Sequence, residues 1–443
     1  MTPILKVLYR SYRLISRLQH WERRRFTRAG MVVMGGLIAT AMTGLDTENT
    51  VGYQAFMVLL SLLLLAVVFS WFFRARFSAT RLLPRFGTVG YPLNYRVLVT
   101  NLTRRPQRGL TLLEDLADPR PSFEDWRAAL MTAQKQFRPF RLSLQRPVYV
   151  FKPAALKEAT LPAAPPQQEV EVGVELTPLR RGLLRFAGIT LARPDPFALF
   201  RGFAKVPVAQ TALILPRRYP LPPIALPGAL KYQEGGVALA SNVGQSEEFV
   251  ALRDYRPGDP LRHIHWRSWA KVGKPVVKEF EDEFFVRHAL VLDTFTEDLN
   301  AEVFEEAVSV AASFACTIPS QESLLDLLFV GAQSYCFTAG RGLAHADQML
   351  EVLASVRRRD DKEFGTLEHL VLNHVEVVSG CICVLVAWDA TRRKFIEKLR
   401  ALGVPLLVLV VVPAGQKLAL PDHAGDLHVL EVGRIQEGLA KLK

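Results

Sequence analysis

Two long apolar segments lie close together near the N-terminus, at Ala29–Leu45 and Val51–Phe73. A helix needs roughly 20 apolar residues to cross about 30 Å of hydrocarbon, and the second segment meets that length easily. The first segment is shorter, but the second follows it almost at once, and no small-residue cleavage site indicates a removable signal peptide. The pattern therefore predicts a transmembrane hairpin of two helices within residues 29–76.

The charges around this hairpin predict its orientation. The short loop between the two segments carries Asp46 and Glu48 and no basic residue. Basic residues flank the hairpin on both outer sides: Lys6, Arg10, Arg13, Arg17, Arg23, Arg24, Arg25 and Arg28 before it, and Arg74, Arg76, Arg81 and Arg85 after it. Because positively charged flanks stay in the cytosol, we expect both termini and the soluble bulk of the chain to be cytosolic. Residues 1–28 are predicted to be a basic amphipathic cytosolic segment on anionic lipid, with a partly disordered basic tail as the alternative.

Alternation of polar and apolar residues dominates the next part of the chain, residues 77–216. Glu169–Thr177 alternates strictly, which is typical of a strand with one buried and one solvated face. Several such short segments, separated by turn residues, predict a β-sandwich-like domain. Ser122–Phe137 has a helical pattern with Ser122 as a candidate N-cap, so we expect a helical insertion near residues 115–168.

Continuous apolar runs alternate with helical patterns in the last part of the chain. The runs lie at His288–Asp293, Leu325–Val330, Cys381–Ala387 and Pro405–Val412, and the helical patterns at Ala301–Ala315, His345–Arg358 and Thr391–Leu402. Continuous apolar strands joined by helices are typical of a parallel sheet covered on both faces. We therefore predict a multi-domain chain that ends in a doubly wound α/β domain at residues 288–443, preceded by a connector at 217–287.

Composition excludes one class of partner. The formal net charge is +12 at pH 7, but much of the basic excess belongs to the flanks of the hairpin. Elsewhere the aromatic residues are not interleaved with basic ones as a stacking platform for nucleic acid would require, so no nucleic-acid partner is expected. Cys316, Cys336, Cys381 and Cys383 lie in apolar stretches and are expected to be reduced thiols.

The densest polar stretch runs from Glu247 to Asp282 and carries a recognisable motif. Arg-x-Tyr-x-Pro-Gly-Asp occupies positions 253–259, Ile-x-Trp-Arg-x-x-Ala follows at 264–270, and Lys-Glu-Phe-Glu ends the motif at 278–281. This pattern resembles the signature of a bacterial family known as domain of unknown function 58. Pro178–Gly182 and Asp195–Phe200 also look like landmarks of that family, whereas His265 stands where the family usually has Asp.

We expect this signature motif to form either a docking face for a partner protein or a web of salt bridges between domains. The two tryptophans, three residues apart, would share one face of a helix and could anchor a partner. The candidate docking residues are Arg253, Tyr255, Arg256, Gly258, Asp259, His265, Trp266, Arg267, Trp269, Lys278 and Glu279.

The resemblance also implies a fold and a degenerate metal site for the C-terminal part. In the family this part is similar to von Willebrand factor A domains, whose metal site begins with Asp-x-Ser-x-Ser. Here Asp293 matches the Asp, but Phe295 and Glu297 occupy both Ser positions. Asp389 is the candidate for the later acidic ligand, with a helix N-cap as its alternative role. We expect no cofactor, with Mg²⁺ at Asp293 and Asp389 as the alternative.

The function implied by the resemblance is that of a membrane-anchored, non-catalytic binding or assembly protein in a bacterial inner membrane. Such a protein would work beside a MoxR-type AAA+ ATPase in protein complex maturation, with a membrane transglutaminase-like protein as a further partner. No nucleophile elbow, Walker A loop or dinucleotide-binding glycine pattern occurs in the sequence, so we do not expect an enzyme. A metal-dependent hydrolase that uses Asp259, His263, His265 and Asp293 is the alternative.

Overall fold

The computed structural model describes residues 2–43, 50–117, 120, 122–123, 126–127, 152–222, 249–259, 261, 264–280, 286–296, 301–318, 323–340, 346–359, 363–416, 418 and 426–442. The chain divides into two compact units, Met1–Arg217 and Arg218–Lys443. The first combines helices with mostly antiparallel sheets, and the second contains a mostly parallel sheet with helices. The expected multi-domain chain of mixed α and β structure is thus confirmed.

Three helices begin the first unit: α1 at Thr2–Arg25, α2 at Arg28–Thr43 and α3 at Thr50–Trp71. Helix α1 is amphipathic and ends in Arg23, Arg24 and Arg25. Helix α3 contains one candidate membrane span, Val51–Trp71, which has a mean hydropathy of 2.3 and only 6% of its most apolar window buried inside the protein. An apolar helix whose side chains are not covered by protein could anchor the chain in a membrane.

The first half of the predicted hairpin is too short to count as a second span on its own. Among the described residues, only Val51–Trp71 is long and apolar enough to cross a membrane, whereas Arg28–Met42 is a shorter apolar helix. The prediction of two spans is therefore not confirmed. The sequence pattern suggested a longer first helix because it counted Gly44 and Leu45, which lie outside the described residues.

Two sheets form the rest of the first unit and share one core. One sheet has the order β1-β3-β7-β5, and the other has the order β2-β10-β8-β4-β6 with β9 also paired to β8. Buried side chains from both sheets, such as Val97, Leu176 and Leu191, belong to one cluster, as in a β-sandwich. The strands are β1 Phe77–Leu82, β2 Phe86–Thr88, β3 Leu93–Asn101, β4 Leu110–Leu116, β5 Ala154–Leu156, β6 Ala159–Leu161, β7 Glu169–Pro178, β8 Gly182–Pro194, β9 Arg201–Val206 and β10 Gln210–Leu215.

The interval predicted as a helical insertion, 115–168, also contributes strands to both sheets. Strand β5 pairs with β7 in one sheet, and β6 pairs with β4 in the other. Of the helix expected at Ser122–Phe137, Phe123, Trp126 and Arg127 are described and helical, and most of the remainder lies outside the described residues. The short strands escaped prediction because three residues cannot show a period of two.

A buried ion pair connects the two sheets. Arg81 on β1 and Glu114 on β4 are both buried, and the Nη2 of Arg81 lies 2.6 Å from the Oε2 of Glu114. The hydroxyl of Tyr95 donates to the Oε1 of Glu114 at 2.8 Å, and Arg81 also donates to the carbonyl oxygens of Gly188 and Val208. Because each charged group has several partners, the network can be buried at tolerable cost.

A six-stranded sheet with the order β15-β14-β13-β16-β17-β18 forms the body of the second unit. All neighbours are parallel except β14 and β15. Its strands are β13 Val286–Leu292, β14 Ser323–Val330, β15 Ser334–Ala339, β16 Gly380–Leu385, β17 Leu406–Val412 and β18 Leu427–Glu431. The four predicted apolar runs form β13, β14, β16 and β17, in which nearly every side chain is buried.

Helices cover this sheet. They are α5 Ala301–Thr317, α6 Ala346–Ser355, α7 Gly365–Leu372, α8 Ala390–Ala401 and α9 Ile435–Leu439. Buried residues of α7 and α8 share one cluster with the sheet, whereas α5 contacts β13, β16 and β17 without belonging to that cluster. The sheet is therefore covered on both faces, and the carboxyl ends of β13 and β16 are available to position polar side chains.

A small ribbon precedes the sheet. It consists of β11, Phe249–Asp254, and β12, Val276–Phe280, which pair with each other and with no other described strand. Helix α4, Trp266–Val272, lies between them along the chain. The interval predicted as a connector, 217–287, thus contains ordered elements, and most of its proline- and glycine-rich part, 223–248, lies outside the described residues.

Candidate functional site

The signature motif folds around one ion pair. Arg253, near the end of β11, reaches the carboxylate of Asp259 with two parallel hydrogen bonds, Nη1–Oδ2 at 2.7 Å and Nη2–Oδ1 at 2.8 Å. The backbone N–H of Arg256 donates to the same carboxylate at 2.8 Å. Gly258 has a φ of +107°, a conformation that is accessible to glycine and costly for other residues. The Arg-x-Tyr-x-Pro-Gly-Asp pattern therefore supplies what this closed turn needs, an Arg–Asp ion pair and a glycine with a positive φ.

The electrostatics of this turn favour an ionised carboxylate. The side-chain hydrogen bonds from Arg253, followed by the backbone hydrogen bond from Arg256, lower the pKa of Asp259 to about 2. A carboxyl group with so low a pKa is a weak general base. Asp259 therefore holds the turn in shape, and it is not poised to transfer protons near neutral pH.

Helix α4 presents the two tryptophans of the motif as a stacked pair. The ring centroids of Trp266 and Trp269 lie 5.2 Å apart with an interplanar angle of 19°. Trp266 is 64% exposed, and none of the helical residues, all of which the structure describes, is buried. The helix ends at Gly273, whose φ of +72° allows its N–H to bond the carbonyl of Trp269. The two tryptophans therefore lie on one face of the helix, as their spacing predicted.

His265 is a structural residue at the start of α4. Its N–H donates to the carbonyl of Val276 at 2.8 Å, and its Nδ1 lies 2.7 Å from the hydroxyl of Ser268. Ile264 is buried and forms a bridge with Val277, so the start of the helix is fixed to β12. Both the backbone and the ring of His265 are thus engaged in local hydrogen bonds.

The remaining predicted residues surround this frame. Tyr255 donates its N–H to the carbonyl of Pro275 at 3.0 Å, which ties the turn to the segment before β12. Arg267 is exposed and Lys278 is half-buried, while Glu279 lies in β12 opposite Ala251. His263, a ligand in the hydrolase hypothesis, lies outside the described residues.

The predicted metal residues, Asp293 and Asp389, are brought together by an arginine. Asp293 follows β13 and is fully buried, while Asp389 is the N-cap of α8 and accepts from the N–H of Arg392 at 2.8 Å. The Nε of Arg392 donates to Asp293 at 2.6 Å, its Nη1 forms an ion pair with Asp389, and its Nη2 donates to the carbonyl of Phe295 at 2.6 Å. The guanidinium thus contacts both carboxylates and the backbone between them.

Both carboxyl groups have shifted pKa values in this arrangement. Burial raises the pKa of Asp293, and the charge of Arg392 opposes that rise. Partial burial also disfavours ionisation of Asp389, but the N–H and the guanidinium of Arg392 outweigh it and lower the pKa of Asp389. Two carboxylates and one arginine form a compact cluster at the carboxyl edge of the sheet.

These residues do not fit a divalent cation. The guanidinium of Arg392 bonds to the carboxylate oxygens that a metal would need. Within the described part of the chain, no group of three His, Cys, Asp or Glu side chains could hold a metal ion. Asp389 is instead the N-cap of α8, the alternative role predicted for it from the sequence.

Sequence reasoning missed Arg392, although the sequence carries a signal for it. A basic residue in the first turn of a helix opposes the helix dipole, so it is unfavourable unless an acidic partner is nearby. Arg392 lies in that position, three residues after the N-cap. Its contact with Asp293 joins residues that are far apart along the chain, which a local pattern cannot reveal.

The landmark Asp195–Phe200 is a tight turn that holds the N-terminal helices. The carboxylate of Asp195 accepts from the backbone N–H groups of Phe197, Leu199 and Phe200. On its outer side, the carbonyl of Leu199 accepts from the N–H of Thr27 at 3.1 Å, between α1 and α2. A Cβ on Gly30 would lie 2.1 Å from the carbonyl oxygen of Leu199, so only glycine permits this approach.

One known family matches the part of the chain that contains the signature motif and the six-stranded sheet. Residues 251–433 match the family described as "Protein of unknown function DUF58". This match confirms the resemblance given by the motif. A Bacillus subtilis (strain 168) protein described as "Uncharacterized protein YeaD" is 32% identical over 126 residues. The match covers 28% of this chain and 31% of that protein, so it spans less than a third of the relative's length.

Solved structures resemble the chain only weakly. The CARDB domain of PF1109 from Pyrococcus furiosus is 12% identical and covers 32% of this chain and 94% of that one, with a TM-score of 0.17. A beta-glucosidase from Listeria innocua, solved in complex with glucose, is 17% identical and covers 31% of this chain and 17% of that one, with a TM-score of 0.15. Scores of this size support no inference about fold or function.

Proposed function

We propose that this chain is a membrane-anchored, non-catalytic binding or assembly protein whose signature motif docks a partner protein. The observation that carries the proposal is helix α4, which presents a stacked pair of tryptophans, Trp266 exposed and Trp269 half-buried, on a preformed frame. Large aromatic side chains are the commonest anchors of protein interfaces. A helix without a buried residue adds little to a core, so its stabilising contacts are expected from a partner.

The frame beneath the tryptophans supports this role. The Arg253–Asp259 pair closes the turn, and the bridge between Ile264 and Val277 fixes the start of the helix. A surface held in its binding conformation loses little conformational entropy on association. The aromatic pair is therefore positioned before a partner arrives.

The charges around α4 favour a partner with an acidic surface. Arg267, Lys271 and Lys274 are exposed on or just after the helix. Basic residues around an aromatic centre accelerate encounter with an acidic partner and select against basic ones. The expected binding face is thus an aromatic centre with a basic rim.

The partner we propose is a MoxR-type AAA+ ATPase, with a membrane transglutaminase-like protein as a further component of the assembly. This assignment rests on the family resemblance of the motif and not on a contact in this chain. The same resemblance supports a von Willebrand factor A-like interpretation of the six-stranded sheet. An adaptor that holds an ATPase at the membrane would take part in the maturation of protein complexes.

We further propose the bacterial inner membrane as the location, with both termini cytosolic. The candidate span Val51–Trp71 supports anchoring, and the basic residues before α2 and after α3 support the orientation. A second span that includes α2 would complete a hairpin.

A binding measurement with matched variants tests the docking proposal. The full chain in lipid nanodiscs would be titrated with the purified MoxR-type ATPase of the same organism, with and without ATP. Trp266→Ala and Trp269→Ala are expected to weaken binding at least tenfold, the range of an interface hot spot. Leu402→Ala removes an exposed apolar side chain at the end of α8 and serves as the control. Equal binding by all variants, or no binding by the wild type, would refute the proposal.

The hydrolase alternative gains no support from the arrangement of its residues. Arg253 binds the carboxylate of Asp259, and Arg392 binds that of Asp293. A general base needs a free carboxylate or imidazole within reach of its substrate. The alternative would return if the purified chain released product from an ester or phosphoester in a manner sensitive to Asp293→Asn.

A further inference from the structure

An apolar cleft lies where the N-terminal helices meet the turn at Asp195–Phe200. Its volume is about 510 Å³, and it is lined by residues of α1, α2 and α3 together with Phe200. Its walls are mostly apolar, with Met34, Leu63 and Val67 on the side of α2 and α3. A cleft of this composition in a membrane-anchored protein is suited to an acyl chain.

The cleft has a fixed shape because the helices that form it are held by hydrogen bonds. Phe26 and Phe200 form an antiparallel bridge, and their rings meet edge to face with centroids 5.0 Å apart. The N–H of Thr27 donates to the carbonyl of Leu199 at 3.1 Å. The helices therefore cannot close over the cleft without breaking this junction.

Two tryptophans place the cleft at the depth of lipid headgroups. Trp21, on α1, is 50% exposed, and Trp71, at the end of the candidate span, is 74% exposed, and both line the cleft. Tryptophan is enriched where hydrocarbon meets headgroups. Arg74 and Arg76 follow directly along the chain, as expected for residues leaving the membrane on its charged side.

Two of the described residues that line the cleft are charged, and they carry opposite charges. Glu22 and Arg25 are three residues apart on α1, so they project from the same face. The guanidinium of Arg25 lies over the ring of Phe203 at 4.1 Å, and its Nη1 donates to the carbonyl of Arg201 at 2.9 Å. Its Nε finds no hydrogen-bond acceptor among the described residues.

We propose that this cleft binds one phospholipid with an ethanolamine headgroup. The proposal depends on the membrane anchoring of the chain but not on the docking of a partner. The phosphate of the lipid would accept hydrogen bonds from Arg25, and the primary ammonium would donate to Glu22, because a guanidinium and a carboxylate on one face match the two charges of this headgroup. One acyl chain would lie along Met34, Leu63 and Val67.

This chemistry discriminates between lipids. A choline headgroup has no N–H to donate, so Glu22 would lack a hydrogen-bond partner. A glycerol headgroup brings a negative phosphate and no cation, so it would leave Glu22 uncompensated. Free phosphate lacks the acyl chain that the apolar wall accommodates.

Native mass spectrometry of the full chain in detergent tests the proposal, with dioleoyl phosphatidylethanolamine, phosphatidylcholine and phosphatidylglycerol as probes. We expect the wild type to retain one phosphatidylethanolamine about tenfold more tightly than either other lipid, which corresponds to about 1.4 kcal/mol. Glu22→Gln should abolish the preference over phosphatidylcholine, and Arg25→Gln should weaken all three. Arg23→Gln, on the exposed side of the same turn, is the control and should change nothing.

A second variant keeps the test decisive if Arg25→Gln does not fold. Leu63→Trp fills the apolar wall without changing a charge, and it should reduce lipid retention at least tenfold while leaving the helix content unchanged by circular dichroism. Equal retention of the three lipids by the wild type, or an equal effect of Arg23→Gln and Arg25→Gln, would show ordinary annular lipid only and would overturn the proposal.

Discussion

Replacing Arg392 with methionine tests the idea that its guanidinium stabilises the carboxyl edge of the sheet. The substitution preserves most of the side-chain volume and removes the charge. Among the described residues, Asp293, which is fully buried, would keep only the backbone N–H groups of Phe295 and Val386 as hydrogen-bond donors. Removing one partner of a buried ion pair costs about 3 to 5 kcal/mol, because the other charge stays buried without compensation.

Native-state hydrogen exchange in β13 and β16 is the appropriate assay, since it reports the opening free energy of this sheet within the full chain. We expect Arg392→Met to lower that free energy by about 3 to 5 kcal/mol. Arg393→Met, which changes an exposed arginine on the next position of α8, should stay within about 0.5 kcal/mol of the wild type. A loss below about 1 kcal/mol, the range of exposed ion pairs, would refute the reasoning.

The same variant has a predicted pH dependence. Burial already raises the pKa of Asp293 in the folded protein, and removing the opposing charge of Arg392 raises it further. A carboxyl group whose folded pKa exceeds its unfolded value of about 3.9 stabilises the fold at low pH and loses that contribution as pH rises through the folded pKa. The deficit of Arg392→Met relative to the wild type should therefore be smaller at pH 5 than at pH 8, and a larger deficit at pH 5 would contradict this sign.

Three further predictions concern other contacts of the structure. Glu114→Gln leaves Arg81 buried without its counter-charge and should lower the opening free energy of the two sheets of the first unit by about 3 to 5 kcal/mol, measured by hydrogen exchange in β4. Unchanged protection of β4 would contradict the role of this pair. Gly30→Ala places a Cβ against the carbonyl of Leu199, so exchange at residues 26–30 should accelerate while that of the sheets stays constant. Because the pKa of Asp259 is lowered to about 2, its contribution is present above pH 4 and is lost as pH falls towards 2; accordingly, Asp259→Asn should speed exchange at residues 253–259 at pH 7, and no change there would show that the turn does not need its carboxylate.

Much of the second unit could be predicted from sequence because its strands are buried on both faces. The run Pro405–Val412 has seven strand residues in which every side chain is buried, and no surface pattern interrupts it. By contrast, β15 has only one buried residue and lies at the edge of the sheet, so Ser334–Ala339 gave no signal. Hydropathy indicates which side chains are buried, but it does not indicate which strands pair.

The sequence was enough to find the region of the signature motif, which the family match covers. The role of each residue in it depends on the three-dimensional contacts. The alternating charges at 253–259 suggested a web of salt bridges, and the structure shows one bidentate pair that closes a turn. For Asp293 and Asp389, the family resemblance implied a degenerate metal site, with no cofactor as the expectation and Mg²⁺ as the alternative, and the structure shows the two residues joined by Arg392. The guanidinium of Arg392 is far from Asp293 along the chain, so a local motif cannot reveal that the two residues are in contact.

Photo-crosslinking in native membranes tests the central claim most directly. The full chain would carry p-benzoylphenylalanine in place of Trp266, and a second sample would carry it in place of Leu402, which is 58% exposed. The account predicts a crosslink between position 266 and a MoxR-type ATPase that is absent from position 402 and is reduced by Trp269→Ala. Crosslinks of equal yield at both positions, or none to the ATPase at position 266, would contradict the claim that the stacked tryptophans form the docking face.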